Sequence, residues 1–438
     1  MVPFTFLRNG FHGYKIVRLF AKNNARIQNP RYSTNFKMVR PSFNIDRYDC
    51  IGFDLDNTLC EYKIDALVRM EYNVMAEHLI SKGYSEHILA APLDTKEMDF
   101  MQRGLLLDFE RGNIIKLDNF GKVSRASHGT RTLNNEEIKR IYGESKKFLE
   151  LILEFFNDLT VAWESSVSYK FRALLDFFDM PASLAYARSI DDMDYRSDNN
   201  YLECGKDIMA VFQEMYAREH FSNEQSTFFR YLKKEPDLYI NKCSDMVMNW
   251  IQELNKSKIV FLVTGSNVDY AHFTASHCLG KNWRDMFDII ICYARKPGFF
   301  KYERPFFATK DLCEDKEIGL PEMGKVLSQG NWGQLYHLLA NSVGKSEPSC
   351  LYFGDNLVED IYTPAKWGCC DTAAVIEEPF LGSDRWGSYT GLDTLWGSVL
   401  ENYALTQVTS LKTLAVNPLT DDVPFRTEKE SGYEVSKK

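Results

Sequence analysis

Several patterns that define particular protein classes are missing from this sequence of 438 residues. Its ten cysteines are scattered, and no two of them form a CxxC pair. His272 and His277 are spaced like two zinc ligands, but no cysteine pair precedes them to complete such a site. We therefore interpret the cysteines as free thiols of a reducing compartment, against the alternatives of a disulfide framework or a zinc site.

Long apolar runs are also missing. No uninterrupted apolar stretch approaches the roughly 20 residues that a membrane helix needs, so the sequence predicts no membrane partner. Apolar residues nevertheless make up 45% of the chain, which is enough to bury a large core and argues against a disordered or fibrous protein. The sequence therefore predicts a globular chain of two or three domains.

Acidic residues are absent from residues 1–45, which contain eight lysines and arginines. Because the whole chain carries a net charge of −9, removing those eight cations leaves −17 on residues 46–438. Such an acidic body argues against nucleic acid as a partner. The acid-free, arginine-containing leader is typical of a mitochondrial transit peptide. The alternatives are a disordered basic tail, or a leader bypassed by a start at Met38 that leaves the protein in the cytoplasm.

Four short apolar segments each end in polar, small or charged residues, and we interpret them as buried strands. They lie at 49–53, 258–263, 287–292 and 350–353, and helical stretches at 269–278 and 332–343 separate the later ones. This alternation is typical of an α/β fold with a doubly wound parallel sheet. Ligands of such sheets bind at the carboxyl ends of the strands.

The first two of these strands are separated by about 200 residues, far more than a normal crossover connection. Turn signals predict a β-meander over 103–128, and helices are predicted over 136–158, 170–178 and 207–216. We therefore expect a core of residues 46–75 and 245–400, with a mixed α+β cap over 76–244. Residues 401–438 are predicted to form a C-terminal extension with a disordered end.

The loop after the first strand contains Asp54, Asp56 and Thr58. Two acids separated by one residue can share the work of phosphoryl transfer. Asp54 would attack phosphorus and become an aspartyl phosphate, while Asp56 would act as general acid and then as general base. Taken alone, the same pattern also suits a solvated turn or a calcium-like loop.

The ends of the other three strands carry residues that suit the same chemistry. Thr264 offers a hydroxyl for phosphate, Lys296 a cation, and Asp355 and Asp360 the oxygen ligands that Mg²⁺ prefers. Each has a simpler interpretation in isolation: a helix cap, a surface basic pair, and an acidic helix start. Their order along the chain and their common position at strand ends favour a single phosphohydrolase site.

This ordered set resembles the motifs of the haloacid dehalogenase superfamily over residues 46–380. The stretches 51–62, 112–117, 125–130 and 294–300 are similar to its cytosolic purine 5′-nucleotidase family. The resemblance implies a Rossmann-like core with a cap inserted between the first two motif strands. Gly265 is a departure, because the purine nucleotidase has Asn at that position. Purine specificity is therefore not carried over.

The resemblance also implies a role for each motif residue. Asp54 would be the nucleophile, Asp56 the acid/base, and Thr264 and Lys296 the phosphate ligands. Mg²⁺ would be held by Asp54, the Asp56 carbonyl and Asp355, with Asp360 in a supporting position.

Two cap residues, Arg125 and His128, are candidates for substrate contact. The alternative is that they end a hairpin and form local hydrogen bonds. We also expect hinges near 65–75 and 240–250, where a closing cap would join the core.

The predicted function is that of a magnesium-dependent phosphomonoester hydrolase acting on nucleoside 5′-monophosphates through an aspartyl phosphate. Its partner would be a small-molecule phosphomonoester, and a homo-oligomer is left open. The alternatives are a phosphatase of another metabolite or of a phosphoprotein, and a non-catalytic binding or scaffold protein that retains the fold.

Overall fold

A computed structural model of the chain describes residues 44–143, 145–161, 166–377, 385–416 and 419. Most of the predicted basic leader and the end of the predicted C-terminal extension lie outside these residues. Fourteen strands form two sheets in the described part of the chain. They are β1 (Cys50–Phe53), β2 (Leu106–Asp108), β3 (Asn113–Leu117), β4 (Val123–His128), β5 (Arg131–Thr132), β6 (Phe171–Ala173), β7 (Ile259–Val263), β8 (Ile289–Cys292), β9 (Phe306–Lys310), β10 (Cys313–Ile318), β11 (Val326–Gln329), β12 (Cys350–Gly354), β13 (Asp371–Val375) and β14 (Ala404–Val408).

Sixteen α-helices accompany the strands within the same described residues. They are α1 (Ile64–Ser81), α2 (Glu86–Leu89), α3 (Thr95–Phe100), α4 (Asn135–Tyr142), α5 (Lys146–Asn157), α6 (Ala182–Tyr195), α7 (Tyr201–Tyr216), α8 (His220–Asn223), α9 (Thr227–Lys234), α10 (Pro236–Tyr239), α11 (Asp245–Asn255), α12 (Val268–Cys278), α13 (Trp332–Val343), α14 (Thr363–Trp367), α15 (Leu395–Tyr403) and α16 (Lys412–Ala415). A π-helix, Leu357–Tyr362, follows β12.

The larger sheet has nine strands in the order β10-β9-β11-β8-β7-β1-β12-β13-β14. The seven strands from β11 to β14 in this order are parallel, whereas β9 and β10 add an antiparallel hairpin at one edge. The predicted doubly wound parallel sheet is therefore confirmed. The sequence prediction did not include β9, β10, β11, β13 and β14.

The order of strands changes direction at β1, since the chain first adds β7 and β8 on one side of it and later β12 and β13 on the other. The carboxyl end of β1 is therefore the switch point where such sheets bind ligands. All four residues of β1 are buried. Gly52 is required there because a Cβ atom would lie 2.3 Å from the Phe261 ring on β7 and 2.7 Å from the Tyr352 ring on β12.

A second, antiparallel sheet lies in the long segment between β1 and β7, in the order β5-β4-β3-β2-β6. The predicted meander over 103–128 corresponds to β2, β3 and β4. The predicted helix over 170–178 is wrong, because Phe171–Ala173 pairs with β2 as β6. Tertiary pairing places Phe171 and Ala173 in a buried cluster, which outweighs local helical preference. The predicted helix over 136–158 is two helices, and Ser145 caps the second.

The two sheets are joined by apolar packing. One buried cluster contains Leu106 and Phe171 from the smaller sheet together with Leu357 and Trp396 from the elements around the larger one. The helix α1 also runs without a break through the predicted boundary at 75/76, and most of its residues are buried. The hinge expected at 65–75 therefore falls inside a continuous helix, where no loop is present to allow the cap to rotate. Within the described part of the chain, none of the helices has both the length and the apolar character needed to cross a membrane.

One buried carboxyl group lies where α1 packs against α7. Glu71 is fully buried, and the Tyr216 hydroxyl lies 3.2 Å from its Oε1 and 2.9 Å from the Phe178 carbonyl oxygen. The hydroxyl has one proton, so it can donate to only one of the two. Burial, together with the charge of Asp176, raises the pKa of Glu71 well above its usual value. Folding therefore favours the protonated form of Glu71.

We expect the substitution Glu71→Gln to stabilise the protein increasingly as the pH rises. The unfolded chain ionises Glu71 near its ordinary pKa, whereas the folded chain keeps the proton. Wild-type stability should therefore fall by about 1.4 kcal/mol per pH unit above pH 4.5, relative to the variant. Urea unfolding of both proteins from pH 4.5 to pH 7 measures this difference. A difference that does not change with pH would contradict a neutral Glu71.

Candidate active site

The four strand ends named by the sequence analysis meet at the carboxyl edge of the larger sheet. Asp54 and Asp56 follow β1, Thr264 follows β7, Lys296 follows β8 and Asp355 follows β12. The backbone N–H of Asp54 donates to the carbonyl of Phe353 (2.8 Å), so the first loop begins in register with β12. These side chains are all buried, although they are polar or charged. Buried polar and charged groups lose their contacts with water, so these side chains must form hydrogen bonds or ion pairs with one another.

Three carboxylates form the centre of the site. Asp54, Asp355 and Asp360 each offer an oxygen within 4.8 Å of the others. Asp360 comes close because it lies on the π-helix that follows β12, directly over Gly354. A Cβ atom at Gly354 would lie 2.3 Å from the Cβ of Asp360, so only glycine permits this packing.

The chemistry of these three side chains suits a hard divalent cation. All the donors are carboxylate oxygens, which Mg²⁺ prefers. Burial raises the pKa of Asp355 well above its usual value and that of Asp360 to about 7, and the charge of Asp54 contributes to both shifts. A bound cation would favour the ionised forms of these groups. The residues present therefore fit a metal ion.

Lys296 bridges two of these acids. Its Nζ lies 2.8 Å from Asp54 Oδ1 and 2.6 Å from Asp360 Oδ1. Burial alone would lower the pKa of Lys296, but the charges of Asp360 and Asp54 raise it well above its usual value. The lysine is thus held as a cation beside Asp54.

Asp56 has different surroundings. The Tyr62 hydroxyl donates to its Oδ1 (2.6 Å), and the Ser266 hydroxyl donates to its Oδ2. Burial raises the pKa of Asp56, and the neighbouring charge of Asp54 raises it further, against these two hydrogen bonds. A buried carboxyl group with a raised pKa, two residues from an acid that contacts a lysine, is the arrangement expected of an acid/base paired with a nucleophile.

The loop after β7 supplies both a predicted and an unpredicted residue. The backbone N–H of Thr264 donates to the Ile291 carbonyl (2.9 Å), and its hydroxyl accepts from the Ser266 N–H (3.1 Å). Ser266 therefore connects the predicted phosphate residue to Asp56. Ser266 lies only two residues after Thr264, so its closeness to a predicted site residue could have indicated it from the sequence. Tyr62 lies six residues after Asp56 and could have been found in the same way.

Two further contacts come from the segment between β1 and β7, and no local pattern in the sequence indicates them. Arg103 Nη1 lies 3.1 Å from Asp355 Oδ2. The side-chain amide of Asn57, in the loop after β1, donates to Asp176 Oδ1 (3.2 Å). The cap segment thus touches the loops that follow β1 and β12.

The two candidate substrate residues of the cap lie in other surroundings. Arg125 donates to the carbonyl of Arg385 (2.7 Å). The two ring nitrogens of His128 lie 2.7 Å from Asn113 Oδ1 and 3.0 Å from Asp194 Oδ2. None of these contacts involves the strand-end loops. Substrate contact by Arg125 and His128 stays a prediction.

Comparisons with known proteins add an independent line of argument. Residues 38–380 match the model of a family described as the 5′ nucleotidase family. A human protein named 5′-nucleotidase domain-containing protein 1 is 34% identical over 344 residues, which cover 77% of this chain and 73% of that protein. Its Bos taurus counterpart is 35% identical over 344 residues, covering 77% and 74%.

Among solved structures, a Thermotoga maritima protein described as a β-phosphoglucomutase matches 84% of this chain and 97% of its own length. Its sequence identity is 11% and its TM-score is 0.29, so this likeness carries no argument here.

We expect Mg²⁺ to raise the thermal stability of the protein through the three-carboxylate site. At a concentration one hundred times its dissociation constant, the ion should add about 2.7 kcal/mol to the free energy of unfolding. The substitution Asp355→Asn should remove most of this gain. Asp315→Asn, on the exposed outer strand β10, is the matched control and should keep it. Calorimetry with and without Mg²⁺ tests this, and equal gains in both variants would rule out the site.

Proposed function

Because this chain belongs to the 5′ nucleotidase family, we propose that it cleaves a phosphomonoester in two steps through an aspartyl phosphate on Asp54, with Mg²⁺ as cofactor. The chain is a phosphomonoester hydrolase of the 5′-nucleotidase type, and its substrate is a small-molecule phosphate.

The observation that supports this mechanism most strongly is the contrast between the two acids of the first loop. The Asp54 side chain contacts the Lys296 ammonium at 2.8 Å. Asp56, two residues later, has a raised pKa. One loop thus places one acid against a cation and a second, buried acid between two hydroxyl donors. These different surroundings suit a nucleophile and a general acid, respectively.

In the first step, Asp54 attacks phosphorus with a carboxylate oxygen, and the bond from phosphorus to the ester oxygen breaks. Asp56 gives its proton to the departing alkoxide, which leaves as an alcohol. Lys296 stays beside Asp54 and offsets the charge of the transferring phosphoryl group, to which the Thr264 loop donates hydrogen bonds.

In the second step, Asp56 is ionised and accepts a proton from water. The water oxygen attacks phosphorus, and the bond from phosphorus to Asp54 breaks. Inorganic phosphate leaves, Asp54 is a carboxylate again and Asp56 has regained its proton. Tyr62 and Ser266 hold the Asp56 carboxyl group in one orientation for both proton transfers.

The residues that would hold Mg²⁺ are Asp54, Asp355 and the backbone carbonyl of Asp56. Asp360 has a supporting role, because Lys296 engages its Oδ1 and the Asn356 N–H donates to its Oδ2 (3.1 Å). When bound there, the metal would supply positive charge to the phosphoryl oxygens and to the carboxylates.

For the substrate, we propose a nucleoside 5′-monophosphate. The support is the family and the names of the relatives, which contain 5′-nucleotidase. A phosphatase of another metabolite or of a phosphoprotein is the alternative that substrate profiling separates from it. A binding protein that retains the fold is the remaining alternative, and it is disfavoured by the complete set of motif residues.

We expect Mg²⁺-dependent phosphate release from nucleoside 5′-monophosphates, and its loss by a factor of at least about 10³ in Asp54→Asn. The assay measures inorganic phosphate from nucleoside monophosphates, sugar phosphates and p-nitrophenyl phosphate, with Mg²⁺ and with chelator. The rank order of rates identifies the substrate class.

Asp118→Asn, in a turn of the smaller sheet, is a control of the same chemistry and should leave the rates unchanged. If folded wild-type protein releases no phosphate from any compound, the hydrolase proposal is wrong. If Asp54→Asn retains the activity, the proposed nucleophile is wrong.

A further inference from the structure

A buried ion pair connects the cap segment to the metal site. Arg103 Nη1 lies 3.1 Å from Asp355 Oδ2, and the two side chains are only 2% and 3% exposed. Arg103 lies just before β2, which pairs with the edge strand β6 in the second sheet, whereas Asp355 follows β12 in the first. A pair with so little solvent contact persists only if its other hydrogen-bonding groups are satisfied.

The guanidinium of Arg103 is held on its other sides as well. Its Nη2 donates to the carbonyl of Glu377 (2.7 Å), beyond the end of β13. Its planar face lies 3.9 Å from the centre of the Phe177 ring, and the Tyr389 ring centre is 5.3 Å away. Two acceptors and two aromatic rings therefore fix the position of this group, which in turn fixes the Asp355 oxygen that it binds.

The backbone beside Arg103 is anchored to the core. The carbonyl of Gly104 accepts from the Trp396 indole N–H (2.8 Å). Gly104 has φ of 83°, and a Cβ atom there would lie 2.4 Å from the Tyr389 ring. Only glycine allows this close approach in this conformation. Arg103 is thus a rigid attachment of the cap, and a large displacement of the cap would withdraw it from Asp355.

We infer that Arg103 is a positioning residue that orients Asp355 for metal binding and couples the cap to the metal site. This inference rests on the proposed function, since it needs Asp355 to be a metal ligand. With Oδ2 of Asp355 engaged by Arg103, its other oxygen would be left to bind the cation. Arg103 touches neither the nucleophile nor the acid/base in the contacts described above.

Two physical effects of Arg103 on the metal have opposite signs. Its positive charge disfavours a nearby cation, so its removal would strengthen Mg²⁺ binding by charge alone. Its hydrogen bond orients Asp355, so removal would weaken binding. Partners that orient metal ligands typically contribute 10- to 100-fold in affinity, and the positive charge already faces several buried acids. The orienting effect should therefore dominate.

The test is direct Mg²⁺ binding to the full chain by isothermal titration calorimetry, without substrate. Arg103→Met should weaken Mg²⁺ binding by about 10-fold or more. Arg103→Lys keeps the charge but cannot bridge Asp355 and the Glu377 carbonyl together, so it should fall between wild type and Arg103→Met. If the Arg103→Met variant does not fold, the Mg²⁺ affinity of Arg103→Lys, compared with that of wild type, tests the inference.

The matched control is Arg188→Met. Arg188 is another buried arginine, but it donates to the Tyr72 hydroxyl (2.7 Å) and to the Ala91 carbonyl (2.8 Å). Its loss should lower the unfolding temperature and leave Mg²⁺ affinity within about twofold of wild type.

Mg²⁺ binding by Arg103→Met or Arg103→Lys that is as tight as wild type, or tighter, would overturn the inference while leaving the proposed function intact. An equal weakening in Arg188→Met would also overturn it, because the effect would then follow from lost stability. If wild type hydrolyses phosphomonoesters but binds no Mg²⁺, both the metal proposal and this inference fall.

Discussion

The arrangement of the candidate active site depends on one buried cation. This is the ammonium group of Lys296, which lies between Asp54 and Asp360. A buried charge is costly unless opposite charges and hydrogen bonds satisfy it, and three carboxylates without a cation would repel one another. The lysine and the acids therefore stabilise one another only if the strands β1, β8 and β12 end at the same edge of the sheet. The parallel topology, with its change of direction at β1, brings them there.

The cap segment packs against the core that carries the candidate site. Apolar side chains of both sheets share one buried cluster, and Arg103 and Asp176 of the cap segment contact the loops after β12 and β1. Any opening of the cap would have to break both the apolar contacts in this cluster and the ion pair between Arg103 and Asp355.

The sequence was sufficient for the parts of the site that depend on short-range patterns. Apolar strands ending in polar residues predicted the parallel sheet and placed Asp54, Thr264, Lys296 and Asp355 on its strand ends. It was not sufficient for contacts between distant segments. Arg103 and Asp355 are 252 positions apart, and nothing local to either residue indicates the other. The strand β6 was missed for the same reason, since its partner β2 and not its own sequence determines its conformation.

The central claim is that Asp54 forms a covalent bond to phosphorus. The most direct measurement is rapid quenching of a single turnover, followed by borohydride reduction and peptide mass spectrometry. Reduction converts an aspartyl phosphate into homoserine. The account predicts homoserine at position 54, formed with Mg²⁺ and absent with chelator. Phosphate release with no homoserine at position 54, or with homoserine at another aspartate, would contradict it.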